Sequence, residues 1–321
     1  MYFLNKLYNP SIFQGIGKSA PYFEGWYVKV ETACGKTVAF IPGISLSNNG
    51  SHSFIQMIFS ENMQTRYFKF QLDSFNYSKD KFDISVDTNS FSANGFSILI
   101  KDDINITAKI DFRDQVFFPK SKISPGIMGP YSFVPFMECS HGVVMAKAKT
   151  SGFVQIDDQH ISLENGTAYI EKDWGCSFPD PYLWIQSARF NKSDASFMLS
   201  AANIPFLGSR FNGLIGFLYY NGKFHKFASY ASYHLTNINT QDDTVTLTVK
   251  NNNYSLNVLI KAEKAGVLKA PQKGEMSREI KECVNAKIEV VLKHKNEIIF
   301  SDFAENAAVE FSGEYLKLVG K

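Results

Sequence analysis

Four ionisable side chains that could transfer protons are concentrated in the middle of the sequence. Glu138 and His141 are three residues apart, and Glu171 and Asp173 follow in the segment TAYIEKDWGCSFPDPYLWIQS. A carboxyl group buried among apolar side chains has a raised pKa, so it can stay protonated and donate a proton near neutral pH. The pattern therefore predicts acid–base chemistry on an apolar substrate. The alternative is that these groups are structural anchors at a domain junction, with satisfied hydrogen bonds.

Aromatic and amide side chains accompany these ionisable groups. Trp174, Tyr182, Trp184 and Gln186 all lie in the same segment. A tryptophan ring that faces a developing cation can stabilise it. We interpret these four residues as candidate substrate contacts.

A second group of candidate substrate contacts lies nearer the N-terminus. Alternation along a strand places Gln56 on the same face as Phe54 and Ile58, with His52 beside it. A polar side chain among inward apolar ones favours a ligand site, although a hydrogen-bonded core residue is the other interpretation. Trp26, in the segment YFEGW, is typical of the tryptophan that closes one end of many lipocalin barrels, so it is a structural candidate as well as a substrate contact.

The composition excludes several classes of function. The 321 residues carry 33 Lys and Arg against 31 Asp and Glu, and a net charge of +2 does not indicate the basic surface of a nucleic-acid-binding protein. The four cysteines are scattered without CxxC spacing, which predicts neither a zinc site nor a disulfide framework. Nucleotide-binding and metalloprotease motifs are also missing, so we predict no metal and no cofactor.

The first residues do not resemble an export signal. Asn5, Asn9 and Pro10 interrupt the apolar run that a signal peptide needs. The longest apolar stretches are far shorter than the ~20 residues that span a bilayer. We therefore predict a cytoplasmic protein that is either soluble or, at most, attached to a membrane surface.

Hydrophobic periodicity predicts strands almost throughout. Short segments rich in β-branched and aromatic residues are separated by Asn, Gly, Ser and Asp, and Asn221-Gly222 is a type I′ hairpin signal. The best helix candidate is residues 277–283, where Ser277 could cap the first turn. Residues 262–275, in which Gly, Pro and Lys gather, are predicted to form a flexible loop.

A weak internal repeat predicts two domains. The segments YFEGW and YIEKDW resemble each other, and residues 154–171 resemble residues 290–310. We therefore predict an N-terminal lipocalin-like β domain over residues 1–165 and a C-terminal lipocalin-like β domain over residues 166–321. Each is expected to be a closed or nearly closed antiparallel β-barrel with little helix, because closure removes exposed strand edges.

The order of several motifs resembles the tocopherol cyclase family along nearly the whole chain. The segments are YFEGWYVKV, FIPGIS, HSFIQ, GPYSFVPFMECSHGVV, TAYIEKDWGCSFPDPYLWIQS and APQKGEMSREIKECVNAKIEVVL. Two departures are local: Cys176 replaces a small residue such as Ser, and Pro181 replaces Ser or Ala. The resemblance implies a mainly β fold of two consecutive lipocalin-like barrels, also attributed to carotenoid hydratases, with a cavity near the domain junction.

The activity implied by the resemblance is closure of a chromanol ring on a prenylated hydroquinone, or a related reaction of an isoprenoid. Asp173 or Glu171 would donate the proton, and Glu138 and His141 would position the phenol or act as base. Trp174, Trp184 and Tyr182 would line the cation site; the ligand would be a hydrophobic small molecule, either a prenylated aromatic or a polyene. Two alternatives stay open: a non-catalytic lipid-binding protein, and an interaction scaffold whose barrels are filled with side chains.

Overall fold

The computed structural model describes residues 2–206 and 208–319. One α-helix, α1 (Tyr2–Tyr8), precedes the first strand. Short 3-10 helices cover Glu61–Met63, Leu72–Ser74, Gly129–Phe133, Ser229–Ala231 and Tyr315–Leu318. Within the described ranges, no helix is long and apolar enough to cross a membrane.

The first twelve strands form one curled antiparallel sheet. Their spatial order is β4-β3-β2-β1-β12-β10-β9-β8-β7-β6-β5, and β11 pairs with β10. Their bounds are β1 Tyr22–Glu31, β2 Thr37–Leu46, β3 His52–Phe59, β4 Gln64–Phe70, β5 Phe75–Tyr77, β6 Asp83–Val86, β7 Asn89–Ser92, β8 Gly95–Lys101, β9 Asn105–Phe117, β10 Cys139–Ile156, β11 Gln159–Ser162 and β12 Gly166–Gly175.

The last ten strands form a second antiparallel sheet. Their order is β16-β15-β14-β13-β22-β21-β19-β18-β17, and β20 pairs with β21. Their bounds are β13 Tyr182–Ser187, β14 Ser196–Phe206, β15 Ser209–Tyr220, β16 Lys223–Ala228, β17 His234–Gln241, β18 Thr244–Lys250, β19 Tyr254–Lys261, β20 Gly266–Gln272, β21 Glu275–His294 and β22 Glu297–Ser312. The mainly β fold with two lipocalin-like antiparallel sheets is thus confirmed.

The chain folds into two compact units. The first contains the described residues up to Phe59 together with Gln64–Phe178 and Leu268–Glu279. The second contains Ser60–Met63, Pro179–Val267 and the described residues from Ile280 onward. Along the sequence, the segment Leu268–Glu279 of the first unit therefore follows most of the residues of the second unit.

The observed division differs from the boundary that the sequence suggested after residue 165. Strand β12 lies in the middle of the first sheet, between β1 and β10. The YFEGW and YIEKDW motifs are therefore neighbouring strands of one sheet, not the openings of two domains. The resemblance between residues 154–171 and residues 290–310 agrees better with the topology. Strand β12 lies between β1 and β10, just as β22 lies between β13 and β21.

The predicted helix and the predicted flexible loop are both strands. Residues 277–283 lie within β21, and residues 266–272 of the expected loop form β20. Apolar side chains at positions 280 and 283 fit one face of a helix and also fit a strand with a bulge. This short pattern therefore did not distinguish a helix from a strand. The Asn221-Gly222 turn is confirmed: both residues have positive φ, 50° and 72°, between β15 and β16.

Each sheet carries an apolar core on one face. In β12, Ala168 and Ile170 belong to the core of the first sheet, whereas Tyr169 and Glu171 lie on the opposite face. Strands β1, β2 and β3 are nevertheless buried along almost their whole length, which means that both of their faces are covered. Polar groups on the face opposite the core are therefore largely shielded from water.

Candidate functional site

Strand β12 positions two sets of ionisable side chains on its two faces. Glu171 and Asp173 alternate with Lys172, so the two carboxylates lie on the face opposite the core and the ammonium points inward. Pairing with β10 places His141 directly across from Asp173. Two neighbouring strands thereby bring together residues that are 32 positions apart in the sequence.

His141 lies between two carboxylates. Its Nδ1 is 2.9 Å from Asp173 Oδ1, and its Nε2 is 3.5 Å from Glu171 Oε2. The hydroxyl of buried Tyr169 donates a hydrogen bond of 2.6 Å to the same Glu171 oxygen. Nε2 is enclosed, and it makes no hydrogen bond within the described part of the chain. This group, which we call the His141 cluster, consists of His141, Tyr169, Glu171 and Asp173.

The two carboxylates keep the imidazole charged. Burial alone lowers the pKa of His141, but the negative charges of Asp173 and Glu171 and the hydrogen bond to Asp173 outweigh burial and raise the pKa to about 9. Burial and the adjacent Glu171 raise the pKa of Tyr169 well above its ordinary value. Near neutral pH the cluster therefore holds an imidazolium beside a neutral phenol.

Glu138 lies at the edge of this cluster. Its backbone carbonyl accepts hydrogen bonds from the amides of Cys176 and Ser177, at 2.9 and 3.4 Å. Burial raises the pKa of the Cys139 thiol well above its ordinary value, and the charges of Asp173 and Glu138 raise it further. Cys139 therefore stays a neutral thiol, 3.8 Å from Asp173 Oδ1.

The cluster contains the donor types of a metal site. The ligand atoms of His141, Glu171 and Asp173 all lie within 4.8 Å of one another. The sequence did not indicate a metal site here, because these three candidates come from two strands without the spacing of a metal motif. A cation bound there would have to displace the imidazolium proton, which the raised pKa of His141 opposes near neutral pH.

A buried ion pair occupies the inner side of the same strand. Lys172 Nζ lies 2.6 Å from Glu24 Oε1, and both side chains are completely buried. The ammonium also donates to the carbonyl of Pro10 at 3.0 Å, and Glu24 accepts hydrogen bonds from Tyr22 and from the amide of Gln14. Burial lowers the pKa of Lys172 to about 8 despite the attraction of Glu24. The N-terminal segment thus closes over a fully hydrogen-bonded pair.

The tryptophans of the first unit belong to this inner group. Trp26 is fully buried, stacks on Phe82 and donates from Nε1 to the carbonyl of Ser11 at 3.1 Å. Trp174 packs against the same core. Lys172 Nζ lies 4.8 Å from the Trp26 ring and 4.7 Å from the Trp174 ring. Both rings thus stabilise a cation that belongs to the protein itself.

His52 and Gln56 contact other residues of the first unit. His52 Nε2 is 2.7 Å from the hydroxyl of Tyr67. Gln56 accepts from the backbone amide of Lys269 at 2.7 Å and donates to its carbonyl at 3.1 Å. Gln56 therefore holds β20 in place, which agrees with the interpretation as a hydrogen-bonded buried residue.

The remaining candidates lie in the second unit. Tyr182, Trp184 and Gln186 share the face of β13 opposite the core, and all three are buried. The Tyr182 hydroxyl donates a hydrogen bond of 2.6 Å to Glu310, which lies across from Trp184 on β22. Glu310 lies in turn across from buried Glu282 on β21.

Sequence reasoning missed several of these partners. No sequence pattern predicts roles for Tyr169, Lys172 and Glu310, although the first two lie inside the YIEKDW motif. Alternation along β12 could have separated Lys172 from its acidic neighbours, had the segment been recognised as a strand. The pairing of Glu310 with β13 depends on a contact between residues more than a hundred positions apart, which no local pattern reveals.

Comparison with known proteins places these residues in a family. The model of the family described as tocopherol cyclase-like matches residues 115–313, which is more than half of the chain. The chain belongs to the tocopherol cyclase-like family. The matched region includes the whole His141 cluster, whereas Trp26, His52 and Gln56 lie outside it.

A curated relative supports the family at the level of sequence. The chain is 31% identical over 113 residues to the "Probable tocopherol cyclase, chloroplastic" of Oryza sativa subsp. japonica, covering 34% of this chain and 23% of the relative. The chain thus spans about a quarter of the length of that tocopherol cyclase.

Solved structures support the fold. CghA in complex with Sch210972 aligns with a TM-score of 0.56 and 8% identity over 91% of this chain and 89% of CghA. Kievitone hydratase from Nectria haematococca aligns with a TM-score of 0.51 and 11% identity over 94% of each chain. At these identities the likeness of the tocopherol cyclase-like chain to both proteins concerns the fold alone.

Proposed function

We propose that this protein closes a chromanol-type ring on a prenylated hydroquinone, or on a related isoprenoid, with the His141 cluster as the proton-transfer centre. The observation that carries the proposal is the enclosed His141 ring, held between Asp173 and Glu171, within the part of the chain that matches the tocopherol cyclase-like family. Membership of that family supports a cyclase-like reaction. The cluster supplies the acid and the bases that such a reaction needs.

In the proposed reaction the substrate gains one proton at an alkene carbon and loses one proton from its phenol. His141 transfers a proton from Nε2 to the less substituted carbon of the prenyl alkene, and the π bond breaks as the new C–H bond forms. The phenol oxygen attacks the tertiary carbon as this proton is transferred, which creates the C–O bond of the ring. A carboxylate of the cluster accepts the phenol proton, and its return to His141 restores the resting state. Substrate and product are isomers, so no oxidant or reductant is required.

The geometry assigns different tasks to the two carboxylates. Asp173 binds Nδ1 and so fixes the ring orientation that presents Nε2. Glu171, anchored by the Tyr169 hydroxyl, lies beside Nε2, where it can stabilise the charge and take up the phenol proton. An imidazolium of pKa about 9 is a weak acid for an alkene, so attack by the phenol must accompany proton transfer. Close positioning of the alkene and the phenol oxygen provides that coupling.

The proposal changes the roles suggested by the sequence. His141 is the proton donor in place of Asp173 or Glu171, because it carries the proton near neutral pH. We omit Trp174 from the substrate contacts, since its ring faces Lys172. Tyr182, Trp184 and Gln186 belong to the second unit and remain predictions from the sequence alone. Glu138 remains a predicted base or phenol-positioning group.

The test is conversion of a 2-methyl-6-prenylhydroquinone, followed by chromatography and mass spectrometry. We expect the unaltered protein to form an isomer of equal mass and different retention. We expect His141→Gln and Asp173→Asn to lower the rate by at least about a hundredfold, the usual contribution of general acid catalysis. His160→Gln is the matched control, since His160 is an exposed histidine of the same unit.

Two results would contradict the proposal. One is unchanged turnover in His141→Gln, which would remove the cluster from the reaction. The other is recovery of bound but unconverted substrate from the unaltered protein, which would favour the non-catalytic lipid-binding alternative.

A further inference from the structure

An apolar surface lies on the segment that leads into the His141 cluster. Residues 118–137, between β9 and β10, form what we call the docking segment. Three of its large apolar side chains face solvent: Ile123 is 78% exposed, Phe133 is 45% exposed and Phe136 is 101% exposed. A completely exposed phenylalanine is unusual, and Phe136 also has a positive φ of 63°. The backbone thus holds an aromatic ring in water at a conformational cost.

The docking segment is tied to the end of α1. The hydroxyl of Tyr8 donates to the carbonyl of Lys122 at 3.1 Å, and its ring meets that of Phe133 edge to face at 6.3 Å. Lys120 Nζ donates to the side chain of Asn9 at 3.0 Å. Tyr8 is itself 40% exposed. Lys120, Lys122 and Phe133 are therefore anchored to the end of α1.

Basic residues outnumber acidic residues around this surface. The docking segment contains Lys120 and Lys122 and is followed directly by Glu138, and the first 23 residues contain Lys6 and Lys18 and no acidic residue. Asp80, whose carbonyl accepts a hydrogen bond from Asn9, is flanked by Lys79 and Lys81. Exposed aromatic rings beside lysines match the interface of an anionic bilayer, where rings enter the headgroup layer and ammonium groups meet lipid phosphates.

We propose that the docking segment binds the surface of an anionic phospholipid bilayer, with Ile123, Phe133 and Phe136 inserted and Lys120 and Lys122 at the headgroups. A soluble protein partner is less favoured, because the apolar groups are separate protruding side chains rather than a concave groove. Met128, in the same segment, accepts a hydrogen bond through its sulfur from the amide of His141 at 3.1 Å. Bilayer contact would thus bring an apolar ligand to the segment that adjoins the His141 cluster.

The test is flotation of the full chain with vesicles of phosphatidylcholine alone or of phosphatidylcholine mixed with phosphatidylserine. We expect the unaltered protein to float with the mixed vesicles and to dissociate at high salt. We expect Phe133→Ser/Phe136→Ser to weaken binding at least about tenfold, because two apolar rings are lost from the interface. Lys122→Glu should weaken binding to the mixed vesicles more than about fivefold, the usual effect of one lysine at an anionic surface.

Two exposed positions provide matched controls. Phe303→Ser removes a partly exposed phenylalanine of the second unit, and Lys101→Glu reverses an exposed lysine on β8; neither should alter flotation. The proposal is overturned if the unaltered protein stays with the unbound fraction, or if the double serine variant floats like the unaltered protein. Light scattering that shows self-association lost in the double serine variant, without vesicle binding, would also overturn it, because the surface would then bind a second copy. Flotation does not depend on turnover, so its failure is distinct from failure of the proposed cyclisation.

Discussion

At the scale of single residues, the His141 cluster combines burial with a retained positive charge. A largely buried imidazole ordinarily loses its proton, because desolvation disfavours the charged form. Here one carboxylate contacts each ring nitrogen, at 2.9 and 3.5 Å, and the balance reverses. The stabilised charge on His141 also contributes to the free energy of unfolding, and that contribution depends on pH.

The raised pKa of His141 predicts a specific pH dependence of stability. The folded pKa is about 9 against an ordinary value of 6.5, so between these limits the folded state binds more protons than the unfolded state. Stability from this group is therefore fully present below about pH 6.5 and is lost as the pH rises through 9. We expect a loss on the order of 3 kcal/mol across this window.

The measurement is the free energy of unfolding in urea at several pH values, for the unaltered protein and for His141→Gln. Between pH 6.5 and 9, the free energy of unfolding should fall less steeply with pH in His141→Gln than in the unaltered protein. His160→Gln should retain the full slope. Equal slopes in all three proteins would show that His141 is not held charged in the folded state.

At the scale of elements, strand alternation could be predicted well and strand pairing could not. The segments around Gln56 and the Asn221-Gly222 hairpin follow from local patterns, since alternation and turn chemistry are encoded within a few residues. The pairing of β1 with β12 joins residues 136 to 152 positions apart and brings Glu24 to Lys172, whereas the pairing of β10 with β12 brings His141 to Asp173. The acidic and histidine members of the site could therefore be named from the sequence, whereas their partners and their charge states could not.

The side chain of Gln56 hydrogen-bonds to the backbone of β20 as a neighbouring strand would. The amide group of buried Gln56 binds both the N–H and the C=O of the Lys269 backbone, which would otherwise need another acceptor and donor. We expect Gln56→Ala to destabilise the protein by about 1 to 3 kcal/mol, the range for leaving buried polar groups unsatisfied. We also expect faster hydrogen exchange at the Lys269 amide.

The control for this measurement is Gln155→Ala, which alters an exposed glutamine of β10. Exchange at Lys269 should not change in that variant. If Gln56→Ala also leaves the exchange rate unchanged, the side chain does not hold β20.

At the scale of the whole molecule, the two units are interleaved in the sequence. Residues Leu268–Glu279 pack within the first unit, yet they follow most of the second unit along the chain. They supply the carbonyl of Gly274 to Ser45 at 2.7 Å and the backbone of Lys269 to Gln56. The N-terminal part alone therefore lacks a piece of its own structure.

A fragment of residues 1–178 tests this dependence. We expect it to unfold at a lower temperature than the first unit does in the full chain, because the partners of Ser45 and Gln56 are missing. A synthetic peptide of residues 266–279, added in excess, should raise the unfolding temperature by mass action. A peptide of the same composition in scrambled order is the control. A fragment that needs no peptide to reach the stability of the full chain would show that residues 268–279 are dispensable.

The alternation of Glu171, Lys172 and Asp173 constrains how this protein can evolve in length. Adding or deleting one residue in β12 would exchange the faces of every later side chain in the strand, so a carboxylate would enter the core and the ammonium would leave Glu24. A single such event would remove both the internal ion pair and the charged histidine at once, and no point substitution could repair both. Insertions and deletions among relatives of this chain should therefore be confined to the turns that flank β12, while substitutions within the strand accumulate one residue at a time.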